Sequence, residues 1–342
     1  MAEALVSNVQ SRFQAAADRT AGGRWLRITV GVTALGFAAS ALGSLGGDGG
    51  ADPAFTALLF LATSVHVAST GWLYSLAEVR TVASSRPWRM VILPLCLVVA
   101  TAVVTALSPI GLMQWLLVPF FAWQLFHYSR QNLGIACMAS RTQRVPSLTP
   151  TERRFLTSSA IFGISGVVAR VGLLNTGLHW TSRLLLGVAA LGFSLSVVAG
   201  LLAHFARPSS RRSAASSALF VVALTFSLPV FLFSSPYLAL GGMTLAHGLQ
   251  YMVLVGFVAS SGRSAESRWF NWALLLNVAL VGGGLLALTS HLHSGGAGER
   301  LVFGAYLGVV MSHFVVDSAL WRQSNEASRA FMTERLVFLR GS

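Results

Sequence analysis

Apolar residues run through this chain in long continuous stretches separated by short polar breaks, with neither strict alternation nor a one-sided helical stripe. Each stretch approaches the roughly 20 residues that an α-helix needs to cross a hydrocarbon layer of about 30 Å. Breakers such as the Ser108-Pro109 and Ser235-Pro236 steps divide the pattern into ten candidate spans, near residues 25–46, 53–77, 88–108, 110–138, 153–175, 182–205, 214–234, 236–260, 268–290 and 301–322. The pattern therefore predicts an all-α polytopic transmembrane helix bundle of about ten spans, within a range of eight to ten. Continuous runs exclude a membrane β-barrel, whose strands alternate. Residues 1–24 and 323–342 read as polar cytoplasmic tails flanking a membrane domain over 25–322.

Composition agrees with this reading. Of 342 residues, 54% are hydrophobic and 10% charged, with a mean hydropathy of +0.67, far from the balance of a water-soluble domain. All 24 basic residues are arginine. Without lysine there is no Schiff base, so an opsin-type photoreceptor is excluded. The net charge of +13 is explained by topology rather than by nucleic acid, because the arginines concentrate in the tails and in alternate loops. Arg80, Arg86 and Arg89, then Arg141, Arg144, Arg153 and Arg154, then Arg207, Arg211 and Arg212, then Arg263 and Arg268 share one side with both tails. The positive-inside rule makes that side cytoplasmic and places the chain in a bacterial-type inner (plasma) membrane. Arg170, Arg183 and Arg300 depart from this pattern. Cys96 and Cys137 lie in apolar segments without thiolate spacing and read as packing residues.

Within this topology, His66, His127, His247 and His313 each fall near mid-depth on a span running from outside to inside. Their spacing suggests a helical hairpin used five times, its third copy carrying His204 at the cytoplasmic end instead. Neutral imidazole is a common transition-metal ligand, and helices of a bundle can each direct one ligand inward. Ionisable residues inside a membrane usually mark function, so the four histidines are the expected metal ligands. A packed, carbonyl-bonded imidazole is the ordinary alternative for any one of them.

The neighbours of these histidines are unusually polar. Gln124, Tyr128, Arg130, Gln131 and Asn132 surround His127; Gln250 and Tyr251 follow His247; Asp317 follows His313. Gln131 and Asp317 stand four residues after a histidine and share its helix face. Metal-bound imidazoles commonly donate their second N–H to such groups. Asp317 is open to three roles: a ligand, an orienting partner, or an ion pair with Arg130. Gln131 and Gln250 are expected at the cofactor, and Arg130, Tyr251 and Asp317 are the candidate catalytic groups. Glu78 reads as a partner of Arg80 or a neighbour; Trp72, Tyr74, Trp123 and Trp321 read as interfacial anchors; His179, His291 and His293 as surface residues of outer loops.

The spacing also excludes several chemistries. No HxxxH or HxxHH box of membrane desaturases is present, no adjacent His-His pair of haem-copper oxidases, and no paired intramembrane aspartates for magnesium diphosphate. The strings Phe126-His127-Tyr128 and Ala246-His247-Gly248 resemble bacterial polytopic membrane carotenoid-cleaving dioxygenases. Where an acidic residue is expected soon after the His-Gly pair, Leu249, Gln250 and Tyr251 stand here. The resemblance covers about a dozen residues and implies that His127 and His247 are iron ligands; His66 and His313 rest on depth alone.

Together these features lead to an expected iron-dependent oxidoreductase, an oxygenase acting on a lipophilic small molecule that enters from the membrane lipids, with a redox partner. Non-haem iron is the expected cofactor. The alternatives are another transition metal, a haem-binding electron-transfer protein, or a proton-linked transporter using histidine, Asp317 and Arg130.

Overall fold

The computed structural model describes residues 2–44, 53–173, 179–233, 235–262, 264–322 and 324–339. Its elements are helices: α1 (Ala2–Ser44), α2 (Pro53–Leu73), α3 (Ala77–Ser85), α4 (Leu93–Leu107), α5 (Ile110–Thr142), α6 (Pro150–Leu173), α7 (His179–Phe205), α8 (Ala214–Thr225), α9 (Pro229–Leu232), α10 (Pro236–Ala259), α11 (Ala265–Asn277), α12 (Gly283–Thr289), α13 (Ala297–Leu320) and α14 (Glu326–Arg335). The chain is an all-α, multi-pass membrane protein. Large apolar side chains such as Leu95, Val99 and Val103 on α4 and Leu191, Leu195 and Leu202 on α7 are exposed, an outer surface suited to lipid.

Seven segments of the described residues are long and apolar enough to cross a membrane: Thr20–Ser44, Thr56–Leu73, Trp88–Leu107, Trp180–Phe205, Leu238–Ala259, Ala265–Thr289 and Ala297–Leu320. The sequence led us to expect about ten. The segments expected at 110–138 and 153–175 do form long helices, α5 and α6, but α5 carries a dense polar run around His127 and α6 carries Glu152, Arg153, Arg154 and Arg170. The segment expected at 214–234 divides at Pro229, leaving α8 with 12 residues, about 18 Å of helix and too short to span.

Two spans contain a π-turn, Trp88–Ile92 ahead of α4 and Val278–Gly282 between α11 and α12. The first has a local cause. Pro94 has no N–H to donate to the Met90 carbonyl four residues back, and the Tyr74 hydroxyl donates to that carbonyl instead, at 2.5 Å.

Repeated sequential hairpins are not the dominant packing. Among the described residues α6 packs on its chain neighbours α7 and α5, whereas α1 packs on α10, α2 on α11–α12 and α4 on α13. Small residues permit these approaches. A Cβ on Gly36 would lie 2.5 Å from the Ala246 nitrogen, so α1 and α10 meet backbone to backbone. Gly304 and Gly308, one turn apart, face Thr101 and Thr105 of α4 in the same way, and the Thr105 hydroxyl donates to the Arg300 carbonyl at 2.8 Å.

The expected tails are structured where they are described. Residues 2–24 belong to α1, and residues 326–339 pack on the bundle, with Phe331, Met332, Leu336 and Phe338 buried. Phe338 stacks on Trp25 at 4.9 Å, and Arg335 pairs with Glu78 at 2.5 Å, where Arg80 or a neighbour was expected. Arg80 instead donates to the Tyr74 and Ser75 carbonyls. Trp72, read as an anchor, is fully buried.

Candidate metal centre

The long-range helix pairs bring α2, α5, α10 and α13 together around one point, and His66, His127, His247 and His313 all face it. Each is at most 6% exposed. Ring centroids of His66–His247, His66–His313, His127–His247 and His127–His313 lie 5.1, 5.0, 4.9 and 5.1 Å apart, and the His247–His313 diagonal is 6.2 Å. Equal distances would describe a tetrahedron, whereas a square would have a diagonal about 1.4 times its side. The His247–His313 diagonal is longer than the four sides, so the rings do not form a regular tetrahedron.

The hydrogen bonds leave the inward nitrogens without partners. His66 Nε2, His127 Nε2, His313 Nε2 and both nitrogens of His247 are buried and accept or donate no hydrogen bond among the described residues. A buried polar atom left in that condition costs about 1–3 kcal/mol, so a ligand shared among the rings would satisfy several of these nitrogens at once. The remaining nitrogens are held: His313 Nδ1 meets the Thr70 hydroxyl at 2.6 Å and His66 Nδ1 lies 3.3 Å from the Ala62 carbonyl. Stacking fixes two rings further, His127 on Phe314 at 4.6 Å and His247 on Tyr128 at 4.1 Å.

Asp317 completes the cluster. Its Oδ2 lies 3.6 Å from His313 Nε2 and 3.8 Å from His127 Nε2. Its Oδ1 accepts from the Tyr251 hydroxyl at 3.1 Å and from Trp321 Nε1 at 3.3 Å. The Thr70 and Tyr251 hydroxyls are 2.9 Å apart, so a hydrogen-bonded belt runs from His313 through Thr70 and Tyr251 to Asp317. No arginine belongs to it. Arg130, considered as the partner of Asp317 and as a catalytic group, is exposed on α5 and stands outside the cluster. A carboxylate this deeply buried is stable as an anion only beside a cation, and two imidazoles, His127 and His313, lie within 4 Å of it. Two ligand groups are close enough for an ion, His66–His247–His313 and His127–His313–Asp317, the atoms of each within 4.8 Å of one another. These buried groups could hold a metal ion.

The two glutamines support the helices rather than the rings. Gln131 Nε2 donates to the His247 carbonyl at 3.2 Å and to Gln250 Oε1 at 3.3 Å; Gln250 Nε2 donates to the Thr33 hydroxyl at 2.8 Å and to Asn132 Oδ1 at 3.3 Å. They tie α5, α10 and α1 together behind the site. Thr70 is the residue that sequence reading passed over. The signal was present: it stands four residues after His66, as Gln131, Tyr251 and Asp317 stand after the other histidines. Gly248 is a second such residue, since a Cβ there would lie 3.0 Å from His66 Nδ1. His291 and His293 are exposed and distant from the ring; the side chain of His179 lies outside the described residues.

The chain matches no family model, no curated protein and no solved structure.

Proposed function

We propose that this protein is an integral-membrane, non-haem iron oxidoreductase of the oxygenase type, acting on a lipophilic substrate that reaches the site from the bilayer. The observation that carries the reading is the clustering of four buried imidazoles, each with an unpartnered nitrogen, beside a buried carboxylate. Imidazole-rich sites suit iron, copper, zinc and nickel. Iron is favoured here because the site is walled by Phe314 and Tyr128 deep in an apolar bundle, a setting suited to apolar O2 and poorly suited to hydrolysis by bulk water. The bound iron would supply O2 activation. The four histidines would hold it, with Thr70 orienting His313 and with Tyr251 and Trp321 holding one oxygen of Asp317. The short strings around His127 and His247 that resemble carotenoid-cleaving dioxygenases agree with this assignment.

Haem fits less well. Two axial imidazoles need the macrocycle plane between them, and the remaining two histidines, about 5 Å away, stand where that plane would extend. We place the arginine-rich loops on the cytoplasmic side of the inner membrane, where a redox partner would dock. Metal analysis with an optical spectrum on detergent-purified protein tests the assignment: stoichiometric iron without a Soret band is expected. A Soret band would transfer the reading to a haem protein, and protein with no bound metal would leave a transporter. Alanine at His66, His127, His247 or His313 should remove most bound metal, while alanine at His291 should not.

A further inference from the structure

A second buried polar cluster lies where the start of α6, the end of α7 and the start of α8 meet. His204 Nδ1 is 2.6 Å from Glu152 Oε1, and His204 Nε2 is 2.9 Å from the Ser217 hydroxyl. Glu152 is fully buried and His204 is 2% exposed, whereas Ser217 is half-buried and reachable from the surface. The imidazole stacks on Phe220 at 4.3 Å with an interplanar angle of 13°, which fixes its plane. The Glu152 carboxylate is held on both oxygens by Arg207 Nη1, at 3.0 Å each, and accepts from the Thr149 N–H at 2.6 Å.

A nitrogen 2.6 Å from an ionised carboxylate carries the proton, so Nδ1 donates to Glu152, and in the tautomer that leaves Nε2 unprotonated the ring accepts from Ser217. The serine hydroxyl is then the donor to a base that a carboxylate orients, the relation of nucleophile, base and acid in acyl transfer. Glu152 lies ahead of the apolar run of α6. Burial pushes its carboxyl up, but the hydrogen bonds from Thr149, Arg207 and His204 outweigh burial and keep it below the usual carboxylate range.

Position indicates the substrate. Exposed apolar residues of α7, among them Val198, Leu202 and Phe205, give way directly to Arg207, Arg211 and Arg212, marking a boundary between hydrocarbon and headgroups. Arg212 lies over the Phe205 ring at 5.0 Å, which holds a positive charge at that boundary beside the apolar end of α7. Ser217 follows the N-terminus of α8, the positive end of a 12-residue helix whose Ser216 N–H is capped by the Ser213 hydroxyl.

We propose that Ser217, His204 and Glu152 form a second active site, a serine esterase that cleaves acyl esters of anionic lipids at the membrane surface. Ser217 Oγ bonds to the acyl carbon as its proton passes to His204 Nε2. The ester C–O bond then breaks, and the leaving alkoxide takes that proton. Water attacks the acyl-serine, gives a proton to His204, and Ser217 Oγ recovers it as the fatty acid departs.

The test is labelling of the full-length, detergent-purified protein with a fluorophosphonate, read by intact mass and peptide mapping. One adduct per chain at Ser217 is expected, none in Ser217→Ala, and labelling slowed by about 100-fold or more in His204→Gln. Ser217→Ala removes a single oxygen, and its melting curve confirms folding. An unlabelled wild-type protein, or an adduct elsewhere that persists in Ser217→Ala, would overturn the assignment. Stripping metal from the wild-type protein with chelator separates the two sites: labelling should be unchanged, and labelling lost together with the metal would refute an independent centre.

Discussion

Replacing His247 by leucine asks whether the buried ring is a ligand or a packing residue, because the two roles give opposite signs in metal-free protein. His247 is fully buried, with both nitrogens unpartnered and its face on Tyr128. If four-ligand structural sites are worth roughly 10–16 kcal/mol, one ligand of four contributes about 3–4 kcal/mol, or about 100- to 1,000-fold in metal affinity. Without metal, leucine removes two unsatisfied nitrogens worth about 1–3 kcal/mol each. An apolar replacement of similar volume loses under about 1.5 kcal/mol in packing. Metal-stripped His247→Leu should therefore unfold at a temperature equal to or above that of stripped wild type, while the metal-loaded variant unfolds below loaded wild type. Thermal unfolding in detergent, with and without chelator and with metal content measured in parallel, reads both signs. An equal destabilisation in both states, with a wild-type midpoint indifferent to chelator, would refute the ligand role.

Gly248→Ala should keep the fold but push His66 by a few tenths of an ångström, since the added methyl meets Nδ1 at 3.0 Å; metal titration should show weaker binding, by about tenfold. Arg130→Gln should leave metal content unchanged, because Arg130 is exposed outside the ring; loss of metal there would restore its pairing with Asp317. Tyr251→Phe removes the hydrogen bonds to Asp317 and Thr70 and should cost about 1–2 kcal/mol of stability, read by thermal unfolding, with the histidines still binding metal. Glu152 is held below the usual carboxylate range, so its contribution is present in full above its unfolded value of about 4.3 and is lost as pH falls through the folded value. The melting temperature of wild type should accordingly drop more steeply on acidification below about pH 4 than that of Glu152→Gln.

Fold class and candidate ligands were legible along the chain, because both are one-dimensional signals. Continuous apolar runs give membrane helices whatever their neighbours, and an ionisable residue in the middle of such a run is conspicuous without coordinates. The number of spans was less legible: hydropathy continues across the break at Pro229, and the polar residues of α5 face the interior, where composition alone does not direct them. Packing partners were decided only by the tertiary structure. Close approach depends on where small residues such as Gly36, Gly304 and Gly308 meet a distant helix, and that pairs α1 with α10 and α4 with α13 instead of building successive hairpins. The same packing placed Asp317 against Tyr251 and the imidazoles while Arg130 turned outward, and it assembled Glu152, His204 and Ser217 from three helices. Spacing along one helix fixes which residues share a face, but only the arrangement of helices decides which faces meet.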